Sequence, residues 1–126
     1  MEYALTIYEG PREFSTREGA GSGEYWAAWS AYSEALRAAG QNVRGAPLQA
    51  PESATTVRTR GGSRTVEDGP YADTKEQIGG FMVIDVPTLD EALEWAARCP
   101  AAAYGAVEVR PVLPMNAPSP QVANAN

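Results

Sequence analysis

The sequence predicts a single α+β domain, with two helices packed on one face of a mainly antiparallel sheet. Three observations lead there: short alternating apolar runs near both ends, two stretches with helical spacing, and a threonine- and valine-rich pair of runs around a double glycine. A chain of 126 residues with 44% hydrophobic content suits one domain with its own core. That domain is placed at residues 1–112, and residues 113–126 are read as a disordered tail, Pro-, Asn- and Ala-rich without a period.

The first strand, residues 3–9 (YALTIYE), alternates Tyr3, Leu5 and Ile7 against Ala4, Thr6 and Tyr8. Residues 10–23, GPREFSTREGAGSG, are rich in Gly, Ser and charge and read as a flexible loop. In the next element, EYWAAWSAYSEALRAAG, Tyr25, Trp29, Tyr32 and Leu36 fall on one helical stripe, and Gly40 stands where glycine ends a helix. Beyond Pro47 and Pro51, ATTVRTR and GGSRTVED read as a β-hairpin turning at Gly61-Gly62. Asp68-Gly69-Pro70 marks a tight turn, and residues 73–77 have the composition of a capped helical turn stopped by Gly79. GGFMVIDV is the next strand, with Met82, Ile84 and Val86 alternating against Phe81, Val83 and Asp85. Thr88 caps a second helix whose buried stripe is Leu89, Ala92, Leu93, Ala96 and Cys99, with Pro100 past its end. The last strand, GAVEVRPV, turns Val107 and Val109 inward against Glu108 and Arg110. The resulting order, β-α-β-β-β-α-β, is a ferredoxin-like layout.

Composition narrows the chemistry. The chain has no histidine, which excludes Ser-His-Asp and Cys-His nucleophile arrangements, the imidazole base and every His-containing zinc site. Cys99 is the only cysteine, so no internal disulfide is possible and a reducing, cytoplasmic location is expected. A net charge of −6 argues against non-specific nucleic-acid binding. No apolar run has the length of a membrane span, and the N-terminus lacks the pattern of a signal peptide. No metal site and no cofactor are expected.

The strand phases leave one sheet face without helices, carrying Thr6, Tyr8, Arg58, Arg60, Phe81, Val83, Asp85, Glu108 and Arg110. Such a mixture suits a face that meets another subunit around a partly polar cavity, and it equally suits a solvated face with surface ion pairs. Tyr8, Arg58, Asp85, Glu108 and Arg110 are the candidate cavity-lining residues, because a carboxylate beside an arginine in an enclosed space can bind a polar ligand. Trp26, Tyr71 and Lys75 are secondary candidates. Trp26 lies off the main helical stripe, Tyr71 is an aromatic in a polar connection, and Lys75 is the chain's only lysine. Each also has a structural reading: core packing for Trp26, scaffold alone for a solvated Tyr71 and a solvated loop for Lys75; Cys99, on the apolar stripe of a helix, reads as inert packing. No catalytic residue is assigned.

The run DGPYADTKEQIGGFMVIDV, followed by TLDEALEWAARCP and GAVEVRPV, resembles the DGPF branch of the YCII-related proteins, as do the opening YALTIYE and the helix ending in LRAAG. Tyr71 stands where that motif has phenylalanine. The resemblance implies a dimeric α+β barrel, in which two such sheets pack face to face. It also implies a homodimer with a small-molecule site in the barrel cavity. Some relatives carry a His-Asp pair proposed as catalytic, which a chain without histidine does not share. The branch's frequent neighbourhood to extracytoplasmic-function sigma factors implies the alternative of a non-catalytic protein-interaction module in sigma-factor regulation.

Overall fold

The computed structural model describes residues 1–115. Its elements are β1 (Glu2–Glu9), α1 (Pro11–Thr16), α2 (Ser22–Ala38), β2 (Asn42–Pro47), β3 (Thr55–Arg60), β4 (Ser63–Asp68), β5 (Gln77–Asp85), α3 (Leu89–Arg98) and β6 (Ala106–Pro111). Four strands form one sheet in the order β2-β5-β1-β6, antiparallel at every pairing, while β3 and β4 form a ribbon of their own. This is the ferredoxin-like α+β arrangement.

The alternation in β1 decides which side is packed. Tyr3, Leu5 and Ile7 point into a core shared with Tyr32 and Leu36 of α2, Ala92 and Ala96 of α3, and Ile84 of β5. Both long helices therefore cover the same sheet face. Leu5, Leu36 and Ile84 are completely buried, and truncating any one to alanine costs about 2–5 kcal/mol. The helix ends follow the local chemistry read above. Thr88 Oγ1 accepts the Glu91 backbone N–H at 3.2 Å, and Gly40 ends α2 at φ +70°.

Three local expectations are corrected. The fourth strand of the sheet is β2, not the hairpin, so Arg58 and Arg60 do not lie on the sheet's open face. The sequence NVRGAP hides this strand, since Gly and Pro weaken a strand signal. Its edge position tolerates the proline, and Gly45 is needed for close approach: a Cβ there would lie 2.6 Å from Phe81 O.

Residues 10–23 are not simply a loop. Pro11 opens α1 at its first turn, Gly10 N donates to Glu13 Oε1, and Phe14 is buried. Residues 73–77 form no helical turn. There the Gln77 amide donates to Ala72 O and Thr74 O, Thr74 Oγ1 donates to Glu76 O, and Gly79 continues β5 instead of stopping a helix. At Asp68-Gly69-Pro70 the chain bends as it leaves β4, with Gly69 at φ +105°. Most of the residues read as a tail, 116–126, lie outside the described residues.

Candidate functional site

The register brings some of the sequence-predicted residues together. Thr6 stands opposite both Phe81 and Glu108, and Ala4 opposite both Val83 and Arg110, so these residues share the open face with Tyr8. Glu108 accepts from Arg110 at 2.8 Å along the same strand, and both are exposed. Asp85, at the end of that face, accepts from the Met1 amino group at 2.8 Å. Arg58 is elsewhere: its guanidinium carbon lies 4.9 Å from the ring centre of Tyr71, which is itself 74% exposed. Lys75 is exposed on the connection before β5.

The concentration of buried polar chemistry lies on the opposite side of the sheet. Continuing the inward phase of Tyr3, Leu5 and Ile7 by one step puts Glu9 on the buried face, and Glu9 is 0% exposed. A buried carboxylate needs partners, and Glu9 has three. Its Oε1 accepts from Arg17 Nη2 at 2.7 Å, and its Oε2 accepts from Tyr25 Oη at 2.5 Å and Tyr104 Oη at 2.8 Å.

Arg17 in turn donates through Nε to Tyr25 Oη at 3.1 Å, through Nη2 to Gly79 O at 2.8 Å, and through Nη1 to Leu48 O. The rings of Phe14, Tyr25 and Trp26 lie within 5.8 Å of its guanidinium carbon. Gly79 is required here because a Cβ would sit 2.7 Å from Glu9 Oε1 and 2.8 Å from Arg17 Nη2.

Electrostatics keep Arg17, Tyr25 and Tyr104 each in one protonation state at neutral pH. Burial works against the Arg17 charge, but the hydrogen bonds to Tyr25 and Glu9 outweigh it and hold its pKa above the ordinary value. Burial, and then the hydrogen bond to Glu9, push the Tyr25 and Tyr104 hydroxyls upward. Cys99 is packed in the core, where burial raises its thiol to about 11 and leaves it protonated.

Arg17 and Tyr25 also close one end of a cavity of about 530 Å³ that runs along α2 beside the β2–β5 edge. Trp26, Trp29, Ile7 and Met82 supply its apolar wall, the Phe81 backbone passes beside it, and Ser30, Ser33 and Asn42 supply polar groups. Glu34 and Arg37, both exposed and paired with each other, stand at the other end. Trp26 Nε1 donates to Arg17 O at 3.1 Å, so one cavity wall is tied to the network. Trp29 Nε1 is buried without a hydrogen-bond partner of ordinary geometry. No grouping of three or more Cys, Asp or Glu side chains suited to a metal ion occurs among the described residues.

Sequence reasoning missed Glu9, Arg17, Tyr25 and Tyr104 as a group. Two signals were present: the in-phase acid ending an apolar strand, and Pro11 with Glu13 marking a helix start that carries Phe14 and Arg17.

Comparison with known proteins gives three results. The family model described as "YCII-related domain" matches residues 1–116. An uncharacterised protein of Rhizobium meliloti (strain 1021) is 47% identical over 62 residues, which is 48% of this chain and 50% of that protein. The match thus spans about half of that relative's length. Among solved structures, the 5-chloro-2-hydroxyhydroquinone dehydrochlorinase of Burkholderia phenoliruptrix, in complex with 2,5-dihydroxybenzoquinone, superposes with a TM-score of 0.53 at 20% identity, covering 90% of this chain and 94% of that one. At that identity the likeness concerns the fold.

Proposed function

The chain belongs to the YCII-related domain family, and from that premise we propose that it binds a small organic molecule in the cavity between α2 and the β2–β5 edge. The observation that carries this reading is the cavity itself. Its volume of about 530 Å³ suits a small ligand, its walls are largely aromatic and apolar, and a buried polar network closes one end. Tyr25 belongs to both the network and the cavity wall, so it is the group through which the network acts on a bound molecule. A dehydrochlorinase on the same fold supports an enzymatic reading at the level of architecture only.

The test is a thermal-shift screen of small aromatic and aliphatic metabolites, repeated on Ser33→Trp, which fills the cavity. Compounds that stabilise the wild type should leave the variant unshifted. A screen without stabilising compounds, or equal shifts in the variant, would refute the proposal.

The reading extends to a homodimer formed through the open sheet face. Phe81 is 42% exposed there and Ile78, next to the bulge in β5, is 45% exposed, and such apolar exposure favours a second sheet over water. In that dimer Tyr8, Glu108 and Arg110 line the space between the sheets. Sedimentation should show a dimer in the wild type and a monomer in Phe81→Asp; a monomeric wild type rules the dimer out. The sequence Asp68-Gly69-Pro70-Tyr71 supports placement in the DGPF branch, and the lone buried Cys99 suits a cytoplasmic setting.

A further inference from the structure

The β3–β4 ribbon is bare on one side. Its register pairs Val57 with Val66 and Thr59 with Arg64, so these four side chains share a face, while Arg58 turns to the other face and rests on the Tyr71 ring. Val57 and Val66 are each about half exposed. A lone two-stranded ribbon is marginally stable in water, and an exposed cross-strand valine pair favours a cover. Arg58, Arg60 and Arg64 stand together on this arm, three of the chain's ten basic residues, and none has an ion-pair partner among the described residues.

The outer side of α3 is unmatched in the complementary sense. Helical spacing puts Leu89 and Leu93 on the buried stripe, yet within α3 only Ala92 and Ala96 are buried, and both leucines are about half exposed. They border the core stripe one turn apart. Asp90 and Glu94 form the next stripe, also exposed, and neither has a cation within ion-pair distance among the described residues. Two leucines edged by two carboxylates thus answer two valines edged by arginine.

These surfaces belong to opposite edges of the sheet. The ribbon is inserted between β2 and β5, whereas α3 packs on β1 and β6, and β2 and β6 are the two edge strands. A two-fold axis running along the strands between facing sheets brings the β2 edge of one copy over the β6 edge of the other.

The geometry points to a clasp between two copies of this chain, in which the Val57–Val66 face of one ribbon lies on Leu89 and Leu93 of the second copy and Arg64 meets Asp90 and Glu94. The contact is reciprocal, and it rests on the homodimer formed through the open sheet face. Burial of the four aliphatic side chains holds the ribbon down, and the charges fix its register.

The experiment introduces Val66→Cys and Leu93→Cys into one chain and adds a short bismaleimide, with the buried Cys99 out of its reach. Peptide mapping of the product should show position 66 of one copy joined to position 93 of the other. Asp90→Lys with Glu94→Lys should lower the yield roughly tenfold, and adding Arg60→Glu with Arg64→Glu should restore it. All four positions are exposed, so these changes leave the core intact.

A protein that sediments as a dimer but gives no such link leaves the ribbon to a foreign acidic partner; the clasp is then overturned and the sheet-face dimer stands. A link confined to single chains has the same meaning. Yields indifferent to the charge changes, or lost without recovery in the combined variant, remove the pairing of Arg64 with Asp90 and Glu94. A full yield in Phe81→Asp overturns the arrangement about the sheet-face axis, and a monomeric wild type overturns the clasp and the sheet-face dimer together.

Discussion

Two acid–arginine pairs divide this molecule. Glu108 and Arg110 meet at 2.8 Å on the open sheet face, and Glu9 and Arg17 meet at 2.7 Å beneath α1 and α2. The contact distances are nearly the same, and the environments are opposite. Arg110 is 74% exposed and its charge is screened by water, while Glu9 is sealed from solvent and depends on its protein partners for every hydrogen bond. A charge pair becomes structurally decisive through what surrounds it, since removing one partner matters only where water cannot take its place.

The contrast is sharpened most by Arg17→Ala. It strands a buried carboxylate and should lower stability by about 3–5 kcal/mol in urea unfolding, provided the variant folds at all. A loss no larger than that of a surface substitution would erase the distinction between the two pairs. Gly79→Ala comes next. Its Cβ would enter the space occupied by Glu9 Oε1 and Arg17 Nη2, and overpacking of that kind costs about 1–3 kcal/mol. An unchanged melting temperature would mean the network yields easily.

Tyr104→Phe removes one of the two hydroxyl donors to Glu9 Oε2 and acts through pH as well. Burial and the Glu9 bond raise the Tyr104 pKa in the folded state above the ordinary value of about 10. The folded protein therefore keeps a proton that the unfolded chain releases. The stability tied to that proton is complete below about pH 10 and is lost as the pH rises above it. Urea midpoints measured on either side of pH ~10 should fall more steeply in the wild type than in Tyr104→Phe, and parallel curves would deny the link. The smallest effect belongs to Arg110→Ala made in the Phe81→Asp background, where the open face stays in water: it should leave the urea midpoint unmoved because both partners of that pair are wet there. A clear drop in that background would show that the pair matters even as a surface contact.

Much of the fold was legible in the chain, and the reasons are local. The period of two in Tyr3, Leu5 and Ile7, the Thr88 cap and the Gly40 stop each follow from backbone geometry and neighbouring residues. What escaped depends on distant partners. β2 is specified by how Gly45 fits against Phe81 O, which no period in NVRGAP reveals, so the sequence points to the hairpin in its place.

The polar network is non-local in the same way. Arg17 reaches Glu9 across 8 residues, but Tyr104 reaches it across 95. Glu108 and Arg110 stand out in the sequence because residues two apart on a strand share a face by rule. The stronger clue was quieter: an acid in phase with a buried stripe has to be explained.

Arg17 also has a consequence for motion. Its hydrogen bonds to Leu48 O and Gly79 O span 31 and 62 residues, so one side chain pins α1 to the segment after β2 and to the start of β5. Local opening of α1 breaks those ties together, and the Leu48 N–H to Gly79 O bond loses its support at the same moment. Amide protons of α1 and of the β2 edge should therefore exchange with solvent as one cooperative unit, even though each segment alone is short and frays easily.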